Sequence, residues 1–294
     1  MNALRRSFLK LLGAAGAAVV SPGLALADRI RLLPDVGGPA DPGLPGQISP
    51  ELRRSLGRLT LGPAVTQGAL SARWLLGGSL KGAAPLEIST LDEARARGAL
   101  TVVEHAQASV PELIAENRGK THVLLLTGEI LVGGKQNRVL REDLLLPPLS
   151  GPRNIAVYCV EQGRWNEGRK DFESRSSVAT RGLEAAAPPG AVGAAVFVGA
   201  SLVGVDAFHA DGLFTREWPK LLRAYALDAY RAAPGGWDEA AARARVDGLL
   251  RGAARVEGTF RGSAGVGRLF EFALDKHRGA ALLFEGQAVH LAIL

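Results

Sequence analysis

From Leu59 to the C-terminus, apolar residues come in short runs broken by glycine and proline, and within the runs they alternate with polar ones. Period-two alternation puts successive side chains on opposite faces of a pleated backbone, so the pattern predicts strands. Ile155, Val157, Cys159 and Glu161 would share one face of such a strand, and Ala156, Tyr158 and Val160 the other. Strands are predicted at 100–104, 121–132, 135–146, 155–161, 195–198, 202–208, 268–274, 280–284 and 288–294. Gly133-Gly134 makes a two-residue hairpin turn between the second and third of these, and Pro147-Pro148 stops the returning strand.

Helices are fewer. Thr90 and Glu93 have capping-box spacing, which predicts a short helix over 91–97 closed by Gly98. A second helix is predicted over 216–232, with Trp218, Leu221, Leu222, Tyr225 and Ala229 on one face. A third follows Pro234-Gly235-Gly236, over 238–251. Runs of strands without regular β–α alternation exclude a doubly wound sheet. The expected fold is α+β, with mostly antiparallel β-sheets, a short helix near 91–97 and two helices near 216–251.

The N-terminus has a different character. Arg5-Arg6-Ser7-Phe8-Leu9-Lys10 fits a twin-arginine export signal. The apolar run that follows is mild in hydropathy and too short to span a bilayer comfortably, and Ala25-Leu26-Ala27 is a small-x-small cleavage site. Residues 1–27 are therefore expected to be a signal peptide marked by Arg5, Arg6, Ala25 and Ala27. The twin-arginine translocase would be a partner during export, the mature chain would be periplasmic or otherwise exported, and no stable membrane span would remain after cleavage. Pro34, Pro39, Pro42, Pro45 and Pro50 make 28–54 read as a linker, leaving 55–294 as a single domain.

Removing residues 1–27 takes away Arg5, Arg6 and Lys10 and no acid, so the formal charge of +6 falls by three. So small an excess, mixed with acids along the chain, does not make a nucleic-acid stripe. Cys159 is the one cysteine, so no disulfide forms within the chain; on a strand it reads as a small buried apolar residue. Familiar catalytic and phosphate-binding motifs are incomplete: Gly199-Ala200-Ser201-Leu202-Val203 lacks the second glycine of a nucleophile elbow, and no Gly-Lys-Ser/Thr loop occurs. The histidines are scattered, and Asp206 with His209 is too sparse to make a metal site, so no metal or cofactor is assigned.

One segment, 128–165, carries dense polarity between apolar strands. Its candidate ligand-binding residues are Glu129, Lys135, Gln136, Asn137, Arg138, Glu161, Arg164 and Trp165. Guanidiniums, an amide and carboxylates brought together can grip a polar or anionic ligand. The same residues would equally serve as struts, Glu129 or Glu161 pairing with Arg138 or Arg164 across two sheets.

Gly128-Glu129 with Gly133-Gly134-Lys135-Gln136-Asn137-Arg138, and Tyr158-Cys159-Val160-Glu161-Gln162-Gly163-Arg164-Trp165, resemble the two hallmark motifs of a bacterial and archaeal family. That family is named for its association with ADP-ribosylglycohydrolase and rhodanese-phosphatase proteins, and the resemblance runs over nearly all of the chain after the signal. It brings no established activity, only a link to nucleotide or ADP-ribose metabolism. The expectation is an exported domain binding a small polar or anionic ligand of that kind. One alternative is a hydrolase or transferase with Glu129 or Glu161 as general base, Arg138 and Arg164 steadying negative charge and Cys159 as a nucleophile. The other is a structural or interaction domain of the cell envelope.

Overall fold

The computed structural model describes residues 46–77, 86–105, 112–131, 138–159, 182–229 and 235–294. The expected signal peptide and most of the expected linker lie outside the described residues. So do Lys135, Gln136, Asn137, Glu161, Arg164 and Trp165.

Strands dominate, as the alternation predicts. The largest sheet has nine strands, all pairings antiparallel. They are β1 (Gln47–Ile48), β2 (Thr60–Gln67), β3 (Leu70–Leu76), β12 (Ala191–Val198), β13 (Ser201–Phe208), β14 (Glu257–Gly262), β15 (Arg268–Leu274), β16 (His277–Phe284) and β17 (Gln287–Ile293). Their spatial order is β1-β14-β15-β16-β17-β13-β12-β3-β2. Both faces are covered, which is why β12 and β17 are buried almost throughout and carry few polar residues.

On one face lies helix α3 (Asp211–Ala229), which packs on β12 and β13. Its predicted apolar stripe is the face used: Trp218, Leu221, Leu222 and Tyr225 are buried. Trp218 meets Trp74 of β3 edge-on, with ring centroids 5.2 Å apart. The helix starts five residues before the predicted position, at Asp211, which carries Leu213 and Phe214 into the same core.

On the other face lie α1 (Pro50–Gly57) and α4 (Glu239–Ala253). The expected linker boundary at 54/55 falls inside α1. Proline density suggested an extended segment, but Pro50 occupies the first turn, where its missing N–H costs nothing, and Ser49 caps the helix by accepting the Leu52 N–H. Leu52 and Leu56 are then buried, each stabilising by about 1.5–3 kcal/mol.

A second layer of smaller sheets holds the candidate segment. A three-stranded sheet consists of β4 (Ile88–Thr90), β7 (His122–Leu125) and β10 (Leu144–Leu146), ordered β10-β7-β4, with β4 parallel to β7. A five-stranded sheet runs β5-β6-β11-β9-β8, from β5 (Leu100–Val103), β6 (Glu112–Asn117), β8 (Ile130–Leu131), β9 (Arg138–Leu140) and β11 (Gly151–Cys159). The predicted capping box opens helix α2 (Leu91–Ala96), which packs on β4, β5 and β7: Thr90 Oγ1 accepts the Glu93 N–H, and Glu93 Oε2 accepts the Thr90 N–H.

The described parts of the two strands predicted over 121–132 and 135–146 pair as the arms of a hairpin, with a break in each arm, and the predicted Gly133-Gly134 turn lies outside the described residues. Leu125 opposes Leu144 and Ile130 opposes Val139, on one continuous register. Between these pairs Leu126-Thr127-Gly128-Glu129 interrupts one arm and Arg141-Glu142-Asp143 the other. Gly128, at φ +85°, and Glu129 both face Leu140: the Gly128 N–H donates to the Leu140 carbonyl, and the Leu140 N–H to that of Glu129. The break passes the hairpin from the three-stranded sheet to the five-stranded one. Glu129 and Asp143 both sit in it.

Candidate functional site

Inward-facing residues of the large sheet and α3 meet this break. On β17 a register shift against β16 leaves Val289 as an extra residue, between Ala288 opposite Leu283 and His290 opposite Leu282. Such a bulge re-aims the side chains beside it. His290 is fully buried, and its two ring nitrogens reach two carboxylates: Nδ1 lies 2.5 Å from Asp143 Oδ2, and Nε2 lies 3.1 Å from Asp206 Oδ1. Tyr225 of α3 donates its hydroxyl proton to Asp206 Oδ2 over 2.5 Å. Gly204 makes that approach possible, since a Cβ there would stand 2.4 Å from the Tyr225 hydroxyl. Burial alone would lower the His290 pKa; the charges and hydrogen bonds of Asp143 and Asp206 outweigh it and push the value up to about 9. His290 is therefore an imidazolium at neutral pH, donating from both nitrogens.

Asp143 carries the network to the hairpin. Its Oδ1 accepts the Thr127 N–H at 2.8 Å, two residues before Glu129. Glu129 is buried; its Oε2 accepts the Leu126 N–H at 2.9 Å, and its Oε1 accepts from Lys220 Nζ in a short, close contact. Lys220, on α3, also lies 3.1 Å from Asp92 Oδ2 and 3.2 Å from Glu217 Oε2, so three carboxylates share one ammonium. Glu217 is 0 % exposed, and among the described residues neither of its oxygens receives a well-aligned hydrogen bond.

Proton affinities follow from this crowding. Burial, aided by the Glu217 charge and opposed by Lys220, raises the Glu129 carboxyl to about 7. Burial likewise raises Glu217, against the pull of Lys220 and His290. Lys220 is held well above the usual lysine range, because Glu129 and Glu217 outweigh the cost of its burial. A lysine so firmly protonated is an electrostatic group rather than a nucleophile. Glu129, half-protonated near neutrality, is suited to giving and taking a proton.

The cluster opens into a cavity of about 350 Å³. Asp92, Glu129, Lys220 and Arg223 are its polar lining, and Leu91, Ile130 and Ala224 its apolar wall. The volume is at the lower end of small-molecule sites.

Of the residues singled out in the sequence, the structure places Glu129 on this cavity. Arg138 is buried on β9, opposite Leu131 and Cys159. Glu129 takes its cation from α3, some ninety residues downstream, and not from Arg138. Asp206 serves His290 and Tyr225, and among the described residues no group of three His, Cys, Asp or Glu side chains is arranged to hold a metal. Sequence reasoning missed Asp92, Asp143, Glu217, Lys220 and His290. A usable signal was Glu217 and Lys220, charged residues three apart beside the buried apolar stripe of α3.

No curated protein and no solved structure matches the chain. A family model described as the ARG and Rhodanese-Phosphatase-superfamily-associated Protein domain matches residues 58–188 and 184–294. Those two matches span the large sheet except β1, the broken hairpin and α3, and the chain belongs to that family.

Proposed function

We propose that the chain binds a small polar ligand in the cavity between α2, the hairpin break and α3, and that Glu129 exchanges a proton with it. The observation that carries this reading is the Glu129–Lys220 pair, buried yet lining a cavity, with the carboxyl poised near 7. Ionisable groups perturbed by burial and by a specific charge partner, and opening on a cavity, are what acid–base sites have in common. A pure strut would leave its carboxylates satisfied and walled off. Here Glu129 borders open volume, and Glu217 behind it lacks a well-aligned hydrogen bond.

Glu129 is the general base of the hydrolase or transferase alternative, and that role fits its proton affinity. Its companions Glu161 and Arg164 lie outside the described residues. The motif at Arg5-Arg6 and the Ala25-Leu26-Ala27 site support work outside the cytoplasm.

Native mass spectrometry of wild-type protein and Glu129→Gln, both purified from the expression host, tests the proposal. A small-molecule adduct on the wild type that the variant lacks is the expected result. An adduct retained in full by a folded variant would remove Glu129 from the site.

A further inference from the structure

Resting on that reading, we propose that Asp143 and His290 are positioning residues for Glu129: neither lines the cavity, yet together they hold the turn that aims its carboxyl group there. Leu126 and Glu129 close a β-turn, the Glu129 N–H donating to the Leu126 carbonyl at 3.1 Å, with Gly128 in the third position at φ +85°. The carboxylate is tied into the same turn, since Glu129 Oε2 accepts the Leu126 N–H. Whatever orients the turn therefore orients the carboxyl group. The second residue of a β-turn finds no partner for its N–H within the turn. Here that residue is Thr127, and Asp143 Oδ1 accepts its N–H at 2.8 Å.

This contact matters because Glu129 and Lys220 belong to different layers. Glu129 is carried by the hairpin, whereas Lys220 is carried by α3, which packs on the large sheet. Their meeting depends on how the hairpin break seats on that sheet. The hydrogen bonds between Gly128, Glu129 and Leu140 tie the turn to the opposite arm of its own hairpin. Asp143 ties it across the layers, because its Oδ2 lies 2.5 Å from His290 Nδ1 on β17. His290 in turn meets Asp206 of β13, and Asp206 accepts the Tyr225 hydroxyl of α3. Tyr225 and Lys220 are both on α3, so the chain of contacts leaves that helix at one residue and returns to it, through Glu129, at the other. A closed circuit of this kind sets how near Glu129 and Lys220 stand. Its Asp143–His290 link is buried and charge-assisted, so losing either partner loosens it sharply. The charged groups facing His290 are Asp143 from the hairpin, Asp206 from β13 and Glu217 from α3.

The test follows the Glu129 carboxyl carbon by NMR from about pH 4 to pH 9, its signal assigned with Glu129→Gln, together with hydrogen exchange at the Thr127 amide. In the wild type the carboxyl group should titrate near 7. Asp143→Ala, in protein whose large-sheet amides stay protected, should speed Thr127 exchange at least about tenfold. It should also move the Glu129 midpoint at least about one unit toward the ordinary carboxyl value, as the freed turn lets water reach the group. Asp143→Asn keeps an oxygen for the Thr127 N–H and should stay within about half a unit of the wild type. His290→Gln removes the imidazolium from Asp143 and should shift both readouts in the same direction, by less; it carries the test if Asp143→Ala fails to fold. A midpoint and an exchange rate unmoved in a folded Asp143→Ala or His290→Gln would overturn the positioning role and leave the cavity reading standing. An Asp143→Asn midpoint displaced as far as that of Asp143→Ala would overturn it too, because the charge of Asp143 and not its hold on Thr127 would then be acting. A wild-type midpoint at the ordinary 4.5 would instead sink the cavity reading, and this inference with it.

Discussion

Replacing His290 by glutamine keeps a hydrogen-bonding side chain between Asp143 and Asp206 and removes the charge. In the wild type the folded-state pKa of His290 stands near 9, against an ordinary value of 6.5. A raised histidine contributes stability that is complete below the unfolded value and lost as pH rises through the folded one. The shift corresponds to about 3 kcal/mol, of which about 2 kcal/mol should disappear between pH 7 and pH 9.5. The part of that window above pH 8 isolates His290: the Glu129 carboxyl, raised to about 7, is still half-protonated at the lower edge, and the depressed histidines His122, His209 and His277 titrate below 6.5. Urea unfolding at half-unit pH steps measures the slope directly. Wild type should lose stability across the window, and His290→Gln should be flat above pH 8, less stable than wild type at pH 7 and nearly equal to it at pH 9.5. A variant with the wild-type slope would refute the buried imidazolium.

Lys220→Met strands Glu129 and Glu217 and should cost about 3–5 kcal/mol at pH 8, with much of the loss recovered at pH 5, because burial favours the neutral form of both carboxyls once the ammonium is gone; equal losses at the two pH values in urea melts would contradict the shared-ammonium cluster. Gly204→Ala forces a Cβ against the Tyr225 hydroxyl and should cost about 1–3 kcal/mol. Part of that cost should be absent when the change is made in a Tyr225→Phe background, which removes the hydroxyl clash but leaves those with the ring edge and Leu294, a non-additivity that a double-mutant cycle measures. Replacing Arg5 and Arg6 by lysine should leave the precursor in the cytoplasm on fractionation, and undiminished export would show that the pair is not a twin-arginine signal.

Local interactions wrote much of this fold directly into the sequence. Alternation placed β15 and β17 to within a residue, because each side chain's burial depends on which face of its own strand it occupies. The capping box at Thr90 and Glu93 and the apolar stripe of α3 were legible for the same reason: the groups involved lie within a turn or two of one another. Composition misled at α1, where proline density outweighed an N-cap serine and two leucines four apart.

The site was legible at one residue, Glu129, through its place in a polar motif. Apart from the Leu126 N–H, the groups that set the charge of Glu129 come from elsewhere in the chain. Lys220 and Glu217 lie on α3 and Asp92 on α2, while Asp143 across the hairpin break and His290 on the last strand form the neighbouring network. The hairpin was predicted, but its break was not, because both arms have the same length between the flanking pairs and the register beyond the break is unchanged. Alternation reports which face a side chain occupies, and a charge pair depends on distances between elements remote in sequence. The sequence alone therefore determined many of the strands, the helices α2, α3 and α4, and the family. Tertiary packing alone decided that a partly buried lysine shared by three carboxylates, and an imidazolium held by two, would stand near Glu129, the motif residue that lines the cavity among those described.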